Sequence, residues 1–164
     1  MSKESVYEFL TSAGFGDKLV EFAEESTATV ALAAQAIGVE EGRIAKTMSL
    51  STKEGPIVIV LMGTARLDNR KYKDTFAEKA RFLQGDEVEE LIGHPIGGVC
   101  PFAVKEGVRV FLDESLKLYD HVYPAAGAAN NAVRLTIEEL ARLTGNRWID
   151  IAKALEPEAG GGAC

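Results

Sequence analysis

The chain has 164 residues, of which 46% are hydrophobic and 26% charged, a composition that excludes global disorder and fits one domain. With 18 basic against 25 acidic residues the net charge is −7, a field that favours solubility and repels nucleic acid. Extended binding along a phosphate backbone, DNA included, is therefore not expected, whereas local contact with one end of a nucleic acid is left open.

In chain order, residues 2–13 read as a helix, with Val6, Phe9, Leu10 and Ala13 at helical spacing and Gly14 as a stop. Residues 18–24 alternate and read as a strand. Residues 29–37 form a second helix, capped by Thr29 and ended by Gly38. Residues 45–51 and 57–62 are a pair of strands joined by the hairpin chemistry of Thr52-Lys53-Glu54-Gly55-Pro56. The second is continuously apolar, as expected of a central strand covered on both faces. Asp68 caps a short helix through Phe76, and residues 86–92 form another. Residues 109–113 and 118–123 read as strands, and 133–135 as a short one. That strand leads into a helix over 136–143, which opens on the capping box Thr136-Ile137-Glu138-Glu139 and stops at Gly145. Residues 148–151 make a last short strand or turn. Strands and helices mix without regular βαβ alternation. The expected class is α+β, one compact domain over 1–156 with a mixed, partly barrel-like central sheet and surrounding helices. A flexible Gly-rich tail is expected over 157–164.

Several common chemistries are disfavoured. No Walker loop or GxGxxG occurs, so no nucleotide cofactor is expected. The two cysteines, Cys100 and Cys164, would need both His94 and His121 to complete a zinc site, and no metal is expected. So few cysteines fit a reducing compartment. Residues 1–8 do not resemble a signal peptide, and the longest apolar run, 57–62, is too short for a bilayer. A cytoplasmic protein with no membrane partner is expected. No serine stands in a GxSxG context.

Four features could carry chemistry. Segment 93–102 holds three glycines and two prolines. Gly97 and Gly98 could let a ligand approach the main chain and leave N–H groups for its carbonyl, or the segment could be a rigid turn. Cys100 could be a nucleophile with His94 or His121 as base, or a small core filler. Lys46 lies on an apolar strand, where an ammonium calls for an anion or a cleft unless it snorkels at an edge. Residues 66–81 carry six basic and three acidic side chains. They are a phosphate-facing patch or a solvated helix face. Small residues at 125–132 could line a pocket or form a tight crossover.

Together these pieces resemble the YbaK/prolyl-tRNA synthetase-associated editing domains, free-standing deacylases that remove wrong amino acids from tRNA. The markers are Ala36-Ile37-Gly38 followed by Arg43-Ile44-Ala45-Lys46-Thr47, then Gly97-Gly98-Val99-Cys100-Pro101-Phe102, then Val110-Phe111-Leu112-Asp113. The last is the Tyr123-Pro124 to Asn131 loop before Val133-Arg134-Leu135-Thr136. The resemblance implies hydrolysis of an aminoacyl-tRNA ester. It implies that Lys46 contacts the phosphate or ribose of the terminal adenosine. The Gly97-Gly98 loop would hold the aminoacyl carbonyl and ribose hydroxyls by main-chain groups. A water would be activated largely by the substrate's own ribose hydroxyl, without an enzyme nucleophile. His94, Val99, Cys100, Pro101, Phe102, Gly127, Asn130 and Asn131 are then the expected substrate-binding residues. The expected partners are the 3′ end of an aminoacyl-tRNA, tRNA(Pro) foremost, and prolyl-tRNA synthetase. Relatives acting on cysteinyl-tRNA(Pro) resemble each other in an acidic residue where this chain has Ala132, and in a first-strand tyrosine where it has Phe22 or Ala23. Alanine, 2-aminobutyrate, serine, threonine and cysteine all stay open as the amino acid removed. A binding module of the same fold is the alternative to an enzyme.

Overall fold

In the computed structural model, which describes residues 2–22 and 29–153, the chain opens with helix α1 (Ser2–Ser12). Val6 and Leu10 point from it into the core, and Phe9 stacks on Phe102 at 6.0 Å between ring centroids. A 3-10 turn leads to β1 (Leu19–Glu21). The expected strand continued to Glu24, but Ala23 and Glu24 lie outside the described residues, as does the tail over 157–164. Helix α2 (Val30–Ile37) begins where the Thr29 hydroxyl accepts the Leu32 N–H at 3.2 Å. It ends at Gly38 in the left-handed region, φ +87°.

Strands β2 (Ile44–Thr52) and β3 (Gly55–Met62) pair antiparallel from Ala45 opposite Met62 to Thr52 opposite Gly55. The Thr52 hydroxyl donates to the Gly55 carbonyl and closes the turn. Ile57, Val58, Ile59, Val60 and Leu61 are fully buried. Each stabilises the fold by about 1.5–3 kcal/mol relative to exposure, which is why this run takes the centre of the sheet. One side of the sheet packs on α1 through Val60 and Leu112. The other side, through Ile57, Ile59 and Leu61, meets Tyr72 of α3 (Asn69–Phe76). The Asp68 carboxylate caps α3 at Arg70 and Lys71.

After α4 (Asp86–Ile92) come β4 (Arg109–Asp113), β5 (His121–Pro124), β6 (Asn131–Val133), β7 (Leu135–Thr136), α5 (Ile137–Thr144) and β8 (Trp148–Ile149). The large sheet has the order β7-β5-β2-β3-β4-β8 and is mixed, since β2–β5, β3–β4 and β4–β8 run parallel. The pair β1–β6 is antiparallel, and an Ala125–Ala132 bridge joins it to the end of β5, so the sheet curls into a half-barrel. Helix α5 carries the expected capping box of Thr136 and Glu139.

Two elements differ from their expected form. The strand expected over 118–123 starts only at His121. Asp113 accepts the Ser115 N–H and turns residues Glu114–Leu118 into a 3-10 helix that leaves Leu118 exposed. The single strand expected over 133–135 is two strands, because β6 pairs with β1 and β7 with β5. The chain changes sheet at Arg134, whose N–H donates to the Lys18 carbonyl. Among the described residues no helix is long and apolar enough to cross a membrane.

Candidate functional site

Two glycine-bearing loops meet at the edge of one cleft. The first follows α4, which stops at Gly93 (φ +100°). Pro95 then accepts the Gly98 N–H at 2.9 Å, and Gly97 takes φ +92° inside that turn. The Gly98 N–H is therefore spent within the loop, contrary to the expectation that it points at a ligand. Gly98 serves a different close approach. A Cβ there would lie 2.6 Å from the Ala128 nitrogen and 2.7 Å from the Gly127 carbonyl carbon, so the two loops touch backbone to backbone.

The second loop, 125–131, is held by asparagines. Asn131 Oδ1 accepts the N–H groups of Ala126 and Ala128, and its Nδ2 donates to the Ala126 carbonyl at 3.1 Å. Asn130 Nδ2 donates to the Phe22 carbonyl at 2.9 Å and ties the loop to the end of β1. Gly127 is buried at φ +96°.

Behind the first loop lie His94, Cys100, Pro101 and Phe102, all buried. His94 Nε2 lies 2.7 Å from the Phe102 carbonyl and 3.5 Å from Cys100 Sγ. Burial lowers the His94 pKa and pushes the Cys100 thiol up to about 12. These four side chains pack beneath the site, and none of them lines the cleft.

The cleft itself has a volume of about 450 Å³. Its walls are Thr29, Val30 and Ala33 around the start of α2, and Ile44, Ala45, Lys46, Thr47 and Ser49 of β2. Opposite stand Leu83, Gln84, Gly85 and Val88, then Ile96, Gly97 and Val99, with Tyr123, Ala125, Asn131 and Ala132 closing the far side. Of the residues expected from the sequence, Lys46, Gly97, Val99 and Asn131 come together here. Gly98, Gly127 and Asn130 shape the adjoining loops. Ala33 and Ser49 are wall residues the sequence reading passed over, whereas Thr29 was read only as a helix cap and Thr47 and Tyr123 only as parts of the family motifs, without a place in the site. The signal available for two of them was a pair of hydroxyls, Thr47 and Ser49, alternating on a strand whose partner is wholly apolar.

Lys46 is half-buried, and its Nζ donates to the Ala65 carbonyl. Among the described residues no carboxylate lies within ion-pair distance of it. Its pKa is lowered below the ordinary 10.5, first by burial and then by repulsion from the neighbouring Arg66. Among the described residues no acid lines the cleft. An ammonium has three donors, and the Ala65 carbonyl takes one. The wall thus offers a cation short of counter-charge next to a second cation, an arrangement that an anion would neutralise.

The sequence pattern of the "aminoacyl-tRNA editing domain" family matches residues 24–143. The chain is 44% identical over 158 residues to "Uncharacterized protein YwhH" of Bacillus subtilis, covering 95% of this chain and all of that one. It is 30% identical over 120 residues to "Putative Cys-tRNA(Pro)/Cys-tRNA(Cys) deacylase EbsC" of Enterococcus faecalis, covering 72% of this chain and 73% of that one. Its fold superposes with a TM-score of 0.83 and 35% identity on the crystal structure of a "putative trans-editing enzyme for prolyl tRNA synthetase", over 93% of this chain and 98% of the other. Built on this curled mixed sheet and matched over most of its length, the chain belongs to the aminoacyl-tRNA editing domain family.

Proposed function

We propose that the chain is a trans-acting deacylase that hydrolyses the ester of a mischarged tRNA, namely tRNA(Pro) carrying a small non-cognate amino acid. Family membership supports the coarser part, ester hydrolysis on aminoacyl-tRNA. The observation that carries the reading is Lys46, a half-buried ammonium near Arg66 on the wall of a cleft where, among the described residues, neither an acid nor a carboxylate partner for it is found. A terminal nucleotide brings the anion this pair needs. An ammonium–phosphate contact in a partly desolvated cleft contributes about 2–4 kcal/mol.

Gly97 and Val99 border the space for the ester. A water attacks the ester carbonyl, the adjacent ribose hydroxyl of the substrate takes part in the proton transfer, and free amino acid and the terminal tRNA hydroxyl leave. No enzyme nucleophile is required, in keeping with the raised Cys100 thiol pKa. Beyond the cleft, Arg66, Arg70, Lys73, Lys79 and Arg81 are exposed in a chain that is otherwise acidic. They offer a local landing place for the phosphates next to the 3′ end. Prolyl-tRNA synthetase, the source of such a substrate, is the proposed partner.

The test is deacylation of a panel of tRNAs mischarged with alanine, 2-aminobutyrate, serine, threonine or cysteine. Hydrolysis of at least one on tRNA(Pro), with prolyl-tRNA(Pro) left intact, is the expected result. Inertness of the folded protein towards the whole panel, combined with tight tRNA binding, would make it a binding module instead.

A further inference from the structure

Tyr123 lines the cleft and also a second cavity, a groove of about 420 Å³. Val20 of β1, Phe22 just after it, Ile37 of α2 and Tyr123 of β5 give this groove its apolar wall. Phe22 and Tyr123 are half-buried, so part of each ring is open to a ligand. Lys18, half-buried, and Arg134, exposed, supply the charge. The two residues are neighbours because the Arg134 N–H donates to the Lys18 carbonyl at 3.2 Å. Neither side chain has an ion-pair or hydrogen-bond partner among the described residues, and Asp17, an exposed carboxylate on the same wall, bonds neither of them. Elsewhere on this acidic chain Lys3, Arg43 and Lys71 each hold a carboxylate. Two cations on one wall repel each other, and an anion between them removes that cost. A bare anion would leave the rings unused, and an apolar ligand would leave the cations so. A nucleotide uses both, with its phosphate on the cations and its base on the rings.

We propose that this groove holds the nucleotide that precedes the terminal one in the substrate strand: its 5′-phosphate lies between Lys18 and Arg134, and its base lies against Phe22 and Tyr123. The inference rests on the deacylase reading above, which puts the terminal adenosine in the cleft. Tyr123 links the two, because a wall common to both spaces lets consecutive nucleotides of one strand occupy them. The preceding nucleotide is cytidine in every tRNA. The groove therefore strengthens the hold on a tRNA 3′ end without selecting among tRNAs. It also fits a chain of net charge −7, which can grip a few phosphates locally but not a long backbone.

The experiment measures, by calorimetry at low ionic strength, the affinity of non-hydrolysable 3′-alanylamino-3′-deoxyadenosine in three forms: as the 5′-phosphate, extended by cytidine (CpA), and extended by 5′-phosphocytidine (pCpA). Wild type is expected to bind CpA at least about fivefold more tightly than the mononucleotide, and pCpA about tenfold more tightly than CpA. The double variant Lys18→Gln, Arg134→Gln should lose the second step and keep the first. Phe22→Leu, which keeps an apolar side chain but removes the ring, should shrink the first and keep the second. Circular dichroism checks that both variants are folded. Equal or undetectable wild-type affinity for the three forms overturns the proposal, as does a pCpA step that survives in the double variant. Free cytidine 5′-monophosphate should bind far more weakly than pCpA. Binding as tight as that of pCpA would make the groove a site for a free nucleotide and overturn the strand assignment. These affinities are read without turnover. Inertness towards every mischarged tRNA would sink the deacylase reading while the stepwise affinities still support the groove, and active deacylation without the steps would sink the groove alone.

Discussion

His94 Nε2 lies 3.5 Å from Cys100 Sγ, the spacing of a thiol–imidazole pair, yet the two groups share an acceptor instead of a proton. The Phe102 carbonyl stands 2.7 Å from Nε2 and 3.7 Å from Sγ. A carbonyl only accepts, so Nε2 carries the hydrogen and cannot take one from the thiol. Cys100 is fully buried, and burial pushes its pKa up to about 12, which keeps the thiol protonated at neutral pH. Both side chains hold the 93–102 loop against Phe9 of α1 through Phe102.

Cys100→Ala should accordingly keep most deacylase activity and lose about 1–2 kcal/mol of stability from the small cavity. Steady-state turnover and thermal melts measure the two effects separately. Complete loss of turnover in a folded Cys100→Ala protein, with substrate-protected inactivation of the wild type by iodoacetamide, would restore the thiol as a nucleophile.

Lys46→Ala should cost about 30- to 1000-fold in kcat/KM, the worth of one partly desolvated ammonium–phosphate contact. The pH profile is more diagnostic. Burial and Arg66 both lower the Lys46 pKa, so the ammonium is lost at a lower pH than the ordinary 10.5. Enzymatic deacylation, corrected for the spontaneous alkaline reaction, should fall on the alkaline side below that value. Arg66→Ala removes the repulsion and should move this limb to higher pH, whereas in Lys46→Met the limb should vanish. For stability the sign is opposite. Between the lowered folded pKa and the unfolded 10.5 the unfolded chain binds more protons, so this group's contribution becomes more favourable to folding as pH rises through the window. An alkaline limb unmoved by Arg66→Ala would break the link between the two cations.

Gly98→Ala tests the contact between the two loops. A Cβ at 2.6 Å from the Ala128 nitrogen must push backbone against backbone, with no flexible side chain to yield. A loss of about 1–3 kcal/mol is expected, together with weakened turnover because Gly97 and Asn131 both line the cleft. Thermal denaturation reads the first and deacylation the second. Wild-type values for both would show that the loops part without consequence.

Much of the frame is legible in the sequence because its signals are local. Thr29 and Gly38 bracket α2, Thr136 and Glu139 form the capping box of α5, and the apolar run through Leu61 after a hairpin turn suggests a central strand. The split at Arg134 was not legible, since it depends on which distant strands, β1 and β5, claim the residues on each side. In the site, Lys46 was visible as a charge on an apolar strand. Thr47 was not, because threonine suits any strand. Gly98 was visible as a close approach, but its neighbour proved to be the chain's own loop.

The basic patch makes a prediction about salt. Arg70, Lys73 and Lys79 surround one surface depression, while nearby Lys71 is engaged with Asp150 and the Ala152 carbonyl. In a chain of net charge −7, distant fields oppose tRNA, so on the proposed deacylase reading affinity would come from short-range contacts, and this patch is the proposed place for them. Each phosphate contact contributes about −0.9 to the slope of log affinity against log salt for a duplex stem. Replacing Lys73 and Lys79 by glutamate should therefore raise KM for tRNA at least about tenfold at moderate salt and flatten the salt slope by about one unit per lost contact. The value of kcat should change little, because neither side chain lines the cleft. An aminoacyl-adenosine ester, which has no stem, should be hydrolysed equally by the variant and the wild type. Equal loss on tRNA and on that minimal ester would place the effect in the cleft or the fold. An unchanged KM and slope on tRNA would make the patch a solvated helix face and move the stem to another surface.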